Sequence, residues 1–228
     1  MPERPVTIAL AGNPNSGKTT VFNALTGSRQ HVGNWPGVTV EKKEGFCTFD
    51  GRRINVVDLP GTYSLTAYSL DEMVARDFVI NGNPDVVVDV VDASNLERNL
   101  YLTVQMMEME AKLVIALNMM DVARSRGHEI DLTRLTELTG APAVPLVASK
   151  GEGVRDLLKA VTEVADGKRA SVPQAVRYGQ DIEAEVAKLA GIIAGDERYR
   201  AWSPRWLAVK LLEDDREMVR RVQEAEGA

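Results

Sequence analysis

Apolar and polar positions follow one another along this chain in two rhythms, and the changes between them predict its elements. Val6-Thr7-Ile8-Ala9-Leu10-Ala11 is a short, nearly continuous apolar run of the buried-strand kind, and Thr20-Val21-Phe22-Asn23-Ala24-Leu25 continues as a helix. From Ser28 to Gly37 the periodicity lapses, and Gly33, Asn34, Trp35, Pro36 and Gly37 predict a mobile loop. Val38-Thr39-Val40 opens a strand that runs to Phe49, Asp50-Gly51 marks a hairpin turn, and Arg53 to Val57 returns as its partner. A second loop, Thr62 to Ala67, leads into a helix from Ser69 to Ile80.

Beyond it the alternation is regular. Asp85 to Val91 and Leu113 to Leu117 are buried-type strands, separated by a helix whose apolar face is marked by Leu96, Leu100, Val104 and Met107. Asp131 caps a short helix carrying Leu132, Leu135 and Leu138, closed by Gly140 and followed by Pro142. Val144 to Val147 is the last strand and Val154 to Val164 the last helix of this part. Such alternation predicts an α/β fold, a mostly parallel sheet with helices on both faces. The pattern breaks between Asp166 and Val176, through Gly167, Lys168, Arg169, Ser171 and Pro173. After the break it is helical throughout. Ile182, Val186, Leu189 and Ile193 share one face, Ser203-Pro204 is a cap with proline at the first helical position, and Asp214 with Glu217 predicts a capping box. The expected division is therefore 1–166 and a small all-helical unit, 167–228.

At 228 residues, 44% hydrophobic and 26% charged, the chain has room for one α/β domain plus a small addition. A net charge of −6 counts against a nucleic-acid partner. Cys47 stands alone and reads as a small, half-buried strand residue, so no disulfide framework exists and a reducing compartment is expected. His31 and His128 are too few for a dedicated histidine metal cluster. The chain has no run of membrane-span length, and Met1-Pro2-Glu3-Arg4-Pro5 lacks the apolar core of a signal peptide, so its character is cytosolic. Glu41-Lys42-Lys43-Glu44 reads as a solvated strand face.

The chemistry starts at Gly12-Asn13-Pro14-Asn15-Ser16-Gly17-Lys18-Thr19, which fits the phosphate-loop pattern and stands between a strand and a helix. Backbone N–H groups and a helix N-terminus would face a polyphosphate, Lys18 would reach its β- and γ-groups, and the Thr19 hydroxyl would ligate Mg²⁺. Three later signals, each at a strand end, select guanine. Asp58-Leu59-Pro60-Gly61 would hold Mg²⁺ through Asp58 and meet the γ-phosphate through Gly61. Asn118-Met119-Met120-Asp121 offers a carboxylate for guanine N1–H and N2–H, a pairing adenine cannot make. Ala148-Ser149-Lys150 offers backbone N–H groups to guanine O6. Ligand loops belong at those carboxyl ends.

From Val6 to Asp166 the chain resembles the Ras-like GTPases. Gly12 to Thr20, Val32 to Glu41, Asp58 to Leu65 and Val91 to Leu102 narrow the resemblance to the cytosolic G-domain of the prokaryotic ferrous iron transporter FeoB, whose family also carries a helical domain next in the chain. The resemblance implies a GTP/GDP site with Mg²⁺, built from Asn13, Asn15, Ser16, Gly17, Lys18, Thr19, Thr20, Gly37, Val38, Thr39, Asp58, Gly61, Asn118, Met119, Asp121, Ala148 and Ser149. It implies a fragment of a longer protein on the cytoplasmic face of the inner membrane, with its own membrane-spanning domain as partner. Small accessory iron-transport proteins and further copies of the chain are candidate partners too. Met119 replaces the lysine that commonly covers the guanine face, and its thioether can lie on the same ring. Val147 and Ser149 replace the usual residues around Ala148, which suggests fast nucleotide release.

For hydrolysis, the position after Asp-x-x-Gly is Thr62 where many relatives have glutamine. The resemblance gives water positioning to backbone groups of Thr39 and Gly61, with Thr39 also a Mg²⁺ ligand at the end of the first loop. Asn15 is either a ligand of K⁺, joined by carbonyls of Gly33 and Trp35 and supplying the charge of an arginine finger, or a stabiliser of its own turn. Trp35 is either a packing anchor or an exposed reporter. Three functions compete: a GTPase that gates or powers ferrous iron passage, a stand-alone GTPase acting on ribosomes or tRNA, and a GTP/GDP sensor with negligible turnover.

Overall fold

The computed structural model describes residues 4–27, 29–172, 174 and 176–227. The readings placed on Met1, Pro2, Glu3, Ser28 and Pro173 lie outside the described residues. In chain order the elements are β1 (Val6–Gly12), α1 (Lys18–Thr26), β2 (Gln30–Asn34), β3 (Glu41–Phe49), β4 (Arg52–Asp58) and α2 (Leu70–Asn81). Next come β5 (Val86–Asp92), α3 (Leu96–Glu108), β6 (Leu113–Asn118), α4 (Met120–Ser125), α5 (Leu132–Thr139), β7 (Ala143–Pro145) and α6 (Val154–Ala165). The tail holds α7 (Gln180–Ala194), α8 (Pro204–Leu212) and α9 (Arg216–Gly227).

The seven strands lie in the order β2-β3-β4-β1-β5-β6-β7. Pairing is parallel from β4 through β7 and antiparallel between β2, β3 and β4. Strand side chains alternate between faces, so each central strand feeds two cores. Ala9, Val87, Val91, Ile115 and Leu117 face Leu102 and Met106 of α3 and Ala75 of α2. Ile8, Leu10, Val88, Val90 and Val114 face Phe22 of α1 and Leu157 and Val161 of α6. Burying an aliphatic or aromatic side chain of this size contributes about 1.5–3 kcal/mol. A third core, around Val186, Ile193, Trp206, Leu207 and Met218, joins α7 to α9 and packs on Ile80 and Met109.

The structure corrects several expectations. The first loop is a strand for half its length, because β2 pairs antiparallel with β3 from Gln30↔Gly45 to Asn34↔Glu41. All five β2 residues are exposed, so the pairing rests on backbone groups and leaves no apolar rhythm to read. Val38–Val40 is a tight turn before β3, with Trp35 N–H on the Val40 carbonyl at 2.9 Å. The buried face of α3 is Asn99, Leu102, Thr103, Gln105, Met106 and Met107, while Leu96, Leu100 and Val104 are half-buried. Its polar members are buried because each has a partner: Asn99 accepts from Asp92 N–H, Thr103 binds Asp89, and Gln105 accepts from Leu65 N–H. The cap of α9 is Asp215, which accepts from Met218 N–H at 3.0 Å, and Asp214 is left-handed at φ 55°. Glu217 pairs with Arg220 and Arg221 and does not return to the cap. Leu138 and Ile182 are exposed. Cys47 is buried, which pushes its thiol up.

The boundary of α2 has a local cause. Ser69 Oγ accepts from Glu72 N–H at 3.2 Å and Glu72 Oε2 accepts from Ser69 N–H at 3.3 Å, closing a reciprocal capping box. Ser69→Ala is expected to lose about 1 kcal/mol of stability. A lowered urea midpoint with an unchanged slope is the check.

Candidate nucleotide site

At the carboxyl end of β1 the backbone turns sharply so that α1 can start above the sheet. Asn15 is left-handed at φ 66°, a conformation asparagine tolerates, and Gly17 follows at φ 84°. A Cβ on Gly17 would stand 2.2 Å from Asn118 Nδ2, so glycine is required by space as well as by angle. The turn and the N-terminus of α1 open on a cleft of about 400 Å³ lined by Asn13, Pro14, Asn15, Gly17, Lys18, Thr19 and Gly61. Behind them Asn13 Oδ1 and Ser16 Oγ are buried with no hydrogen-bond partner. Thr20 lies in the first turn of α1 and is exposed.

β4, parallel to β1, delivers Asp58 to the same end of the sheet. Lys18 Nζ is bonded to Asp58 Oδ1, with side chains 11% and 8% exposed. Burial pushes the Asp58 carboxyl up, and the Lys18 ammonium pulls it partly back. The second loop is tied to the first through Thr62 N–H on the Gly12 carbonyl at 3.3 Å, which sets Gly61 against Pro14.

β6 ends in Asn118, whose amide joins two loops. Its Nδ2 donates to the Ser16 carbonyl at 3.0 Å and its Oδ1 accepts from Ala148 N–H at 3.1 Å. Ala148 N–H is therefore committed within the protein, and Ser149 stands exposed beside it. Met119 is left-handed at φ 59° and starts α4, with its Cε 3.5 Å from where a Gly17 Cβ would be. Asp121 carries an exposed carboxylate bonded to Lys150 at 2.9 Å, and that contact holds it below the usual carboxylate range.

The first-loop residues are not brought to the cleft. Gly33 sits in the β2 edge, Gly37 and Thr39 are exposed, Val38 is half-buried, and none of them lines it. Trp35 is an anchor: it is buried, meets Phe78 of α2 edge to face at 5.3 Å, and carries Lys42 over its ring at 4.9 Å. Sequence reasoning missed the role of Arg98 and of the Lys150 side chain. Arg98 accepts the Asn13 amide on its carbonyl at 3.3 Å and lays its guanidinium 4.4 Å over Tyr63. Lys150 had only its place after Ala148-Ser149 as a signal, and spacing does not show that its side chain folds back on Asp121. Among the described residues, no group of three or more histidine, cysteine or acidic side chains gathers at metal-binding distance.

A mostly parallel sheet with a glycine phosphate loop after β1, an aspartate at the end of β4 and an Asn-x-x-Asp after β6 defines a Ras-like P-loop nucleotide-binding domain, here followed by helices. Family models agree on which one. Residues 6–161 match "Ferrous iron transport protein B" and residues 178–228 match "FeoB cytosolic helical domain". The chain belongs to the FeoB family. It is 44% identical over 214 residues to the Fe(2+) transporter FeoB of Escherichia coli K12, covering 92% of this chain and 27% of that protein. It thus spans about a quarter of such relatives. The cytosolic domain of the T. maritima FeoB iron transporter in GDP form II superposes with a TM-score of 0.91 at 41% identity, covering 97% of this chain and 87% of that one. In its GMPPNP form the values are 0.90 and 41%, over 96% and 86%. Among the described residues no helix is long and apolar enough to cross a membrane.

Proposed function

We propose that this chain binds GTP and Mg²⁺ in the cleft above α1 and hydrolyses the nucleotide to GDP and phosphate. Its nucleotide state would gate or power ferrous iron passage through a membrane part on whose cytoplasmic side it lies. The observation that carries the reading is the meeting of Lys18, Asp58 and Gly61 around the phosphate loop, with Asn118 locking that loop to Ala148. The GDP and GMPPNP forms of the T. maritima relative support it. The chain divides, in this reading, into 1–166 and 167–228, in keeping with the separate core of α7 to α9.

The oxygen donors Thr19 and Asp58 suit Mg²⁺, with Thr39 joining once the first loop leaves its place beside β3. When bound, the metal neutralises charge on the β- and γ-phosphates. Lys18 then exchanges Asp58 for phosphate. Gly61 and Thr39 offer backbone groups to the attacking water, because Thr62 is buried and cannot act as glutamine would. Asn13, Ser16, Gly17 and Thr20 complete the phosphate side, Gly37 and Val38 travel with Thr39, and Met119, Asp121 and Ser149 hold guanine, while the Ala148 N–H stays on Asn118 and positions that loop. For K⁺, Asn15 alone of its three suggested ligands lines the cleft. The Trp35 carbonyl accepts Val38 N–H at 3.3 Å, so the first loop has to rearrange before that set assembles.

The test is turnover of GTP and ATP in KCl and in NaCl, with Mg²⁺, for the wild type and Asn15→Ala. GTP-selective turnover, faster in KCl, with the salt difference lost in Asn15→Ala, is expected. Equal rates in both salts would remove the K⁺ role, negligible turnover would leave a sensor, and preference for ATP would overturn the guanine assignment.

A further inference from the structure

The base end of the site holds a contact that guanine recognition does not need. A carboxylate that reads guanine spends its oxygens on N1–H and N2–H. Both oxygens of Asp121 already have donors: Oδ1 takes Val122 N–H at 3.0 Å and Oδ2 takes the Lys150 ammonium at 2.9 Å. The backbone that presents Lys150 is preset. Val147 and Glu152 exchange N–H and C=O bonds at 3.1 and 3.2 Å, Lys150 N–H donates to the Val147 carbonyl at 2.9 Å, and Gly151 closes the turn at φ 73°. The side chain remains in water, 56% exposed against 38% for Asp121. An ammonium is a compact cation with three donors and needs no fixed geometry to occupy a carboxylate oxygen.

We propose that Lys150 is an internal competitor for the guanine-reading carboxylate. Its ammonium occupies Asp121 while the base is absent and is displaced as the base enters, which weakens guanine-nucleotide affinity and speeds release. The inference rests on the reading of Asp121 as the guanine contact. Because the pair is exposed and screened by water and salt, its effect on release is modest, about two- to fivefold, and falls as ionic strength rises. The opposite role, a lysine stem lying over the base as a lid, predicts the opposite sign.

The experiment is stopped-flow release of fluorescent mant-GDP from the full chain at low and high salt, for the wild type, Lys150→Ala and Lys150→Arg. Lys150→Ala should release about two- to fivefold more slowly at low salt, with the difference shrinking at high salt, and Lys150→Arg should stay fast. Unchanged or faster release from Lys150→Ala overturns the proposal. Asp121→Asn supplies a second readout with xanthosine diphosphate, whose 2-carbonyl accepts from an amide. In that background no carboxylate is left to contest, so an effect of Lys150→Ala that persists there also overturns it. A wild type that shows no preference for mant-GDP over mant-ADP instead sinks the guanine reading beneath it, whatever Lys150 does.

Discussion

Asp215→Ala is expected to cost about 3–5 kcal/mol of folding free energy, because it strands a charge in the protein interior. Arg76 of α2 and Asp215 at the start of α9 meet at 2.7 Å with side chains 1% and 6% exposed. The Arg76 Nε and Nη2 atoms have no partner, so its charge has nowhere else to go. Asp215 also caps α9, and loss of that cap accounts for only about 1 kcal/mol of the total. Asp215→Asn keeps the cap while removing the charge, and should cost less than alanine. Arg76→Met with Asp215→Asn removes both charges, and should be more stable than either Asp215 variant alone. Urea unfolding of the four chains is the check. A loss for Asp215→Ala no larger than that of the cap would mean that Arg76 reaches water or a second counter-charge.

The same pair matters for function because of what else Arg76 touches. Its Nη1 lies 3.5 Å from the carbonyl of Leu65, in the loop that follows Gly61, while Gln105 of α3 holds the Leu65 N–H at 2.6 Å. Arg221 of α9 adds a second tie, to Asp77 of α2 at 2.8 Å. The tail is thus fastened to the helix next to the second loop at two points, one of them buried.

Where chemistry and backbone geometry coincide, the site was legible in the amino-acid order. Gly12 to Thr19 needs a left-handed turn, a close loop approach and a lysine, and only a few residue types can supply these. Asp58, Asn118 and Asp121 each follow a buried apolar run, so strand ends could be counted without knowing the fold. What stayed hidden was held by backbone or by single long-range polar contacts. β2 has no buried side chain, and its strand character comes wholly from pairing with β3. On α3, Met107 is buried and Leu96 and Leu100 pack against the core as their spacing predicts, whereas Asn99, Thr103 and Gln105 look solvent-facing until their partners are known. Trp35 could be settled only by seeing Phe78 beside it, since 43 residues separate the two in the chain. The cap at Asp215 was missed by one residue, because Asp214 and Asp215 are chemically alike and only the left-handed backbone at Asp214 separates them.

Asp89 is the least expected group in the core, and Asp89→Asn is predicted to change the pH dependence of stability. It lies on β5, paired in register with Ala11 and Ile115, wholly buried, with the Thr103 hydroxyl 2.5 Å from Oδ2. Burial pushes its carboxyl up to about 7, against an ordinary value of 3.8. The folded state therefore keeps a proton between these values where the unfolded chain has lost it. Stability from this group is complete below about pH 4, falls as pH rises toward 7, and levels off above, a total of about 4 kcal/mol. Between pH 5 and pH 8 the wild type should lose about 2–3 kcal/mol through Asp89 alone. Asparagine has nearly the same shape, accepts from Thr103 and does not titrate, but its buried amide costs about 1–3 kcal/mol if it finds no acceptor. Asp89→Asn should then be close to neutral or destabilising at pH 5 and clearly stabilising, by about 1–3 kcal/mol, at pH 8. Urea unfolding of both chains at the two pH values cancels every other titrating group in the difference. Parallel pH profiles would show that Asp89 is charged in the folded state, and that a counter-charge or water reaches the space between β5 and α3.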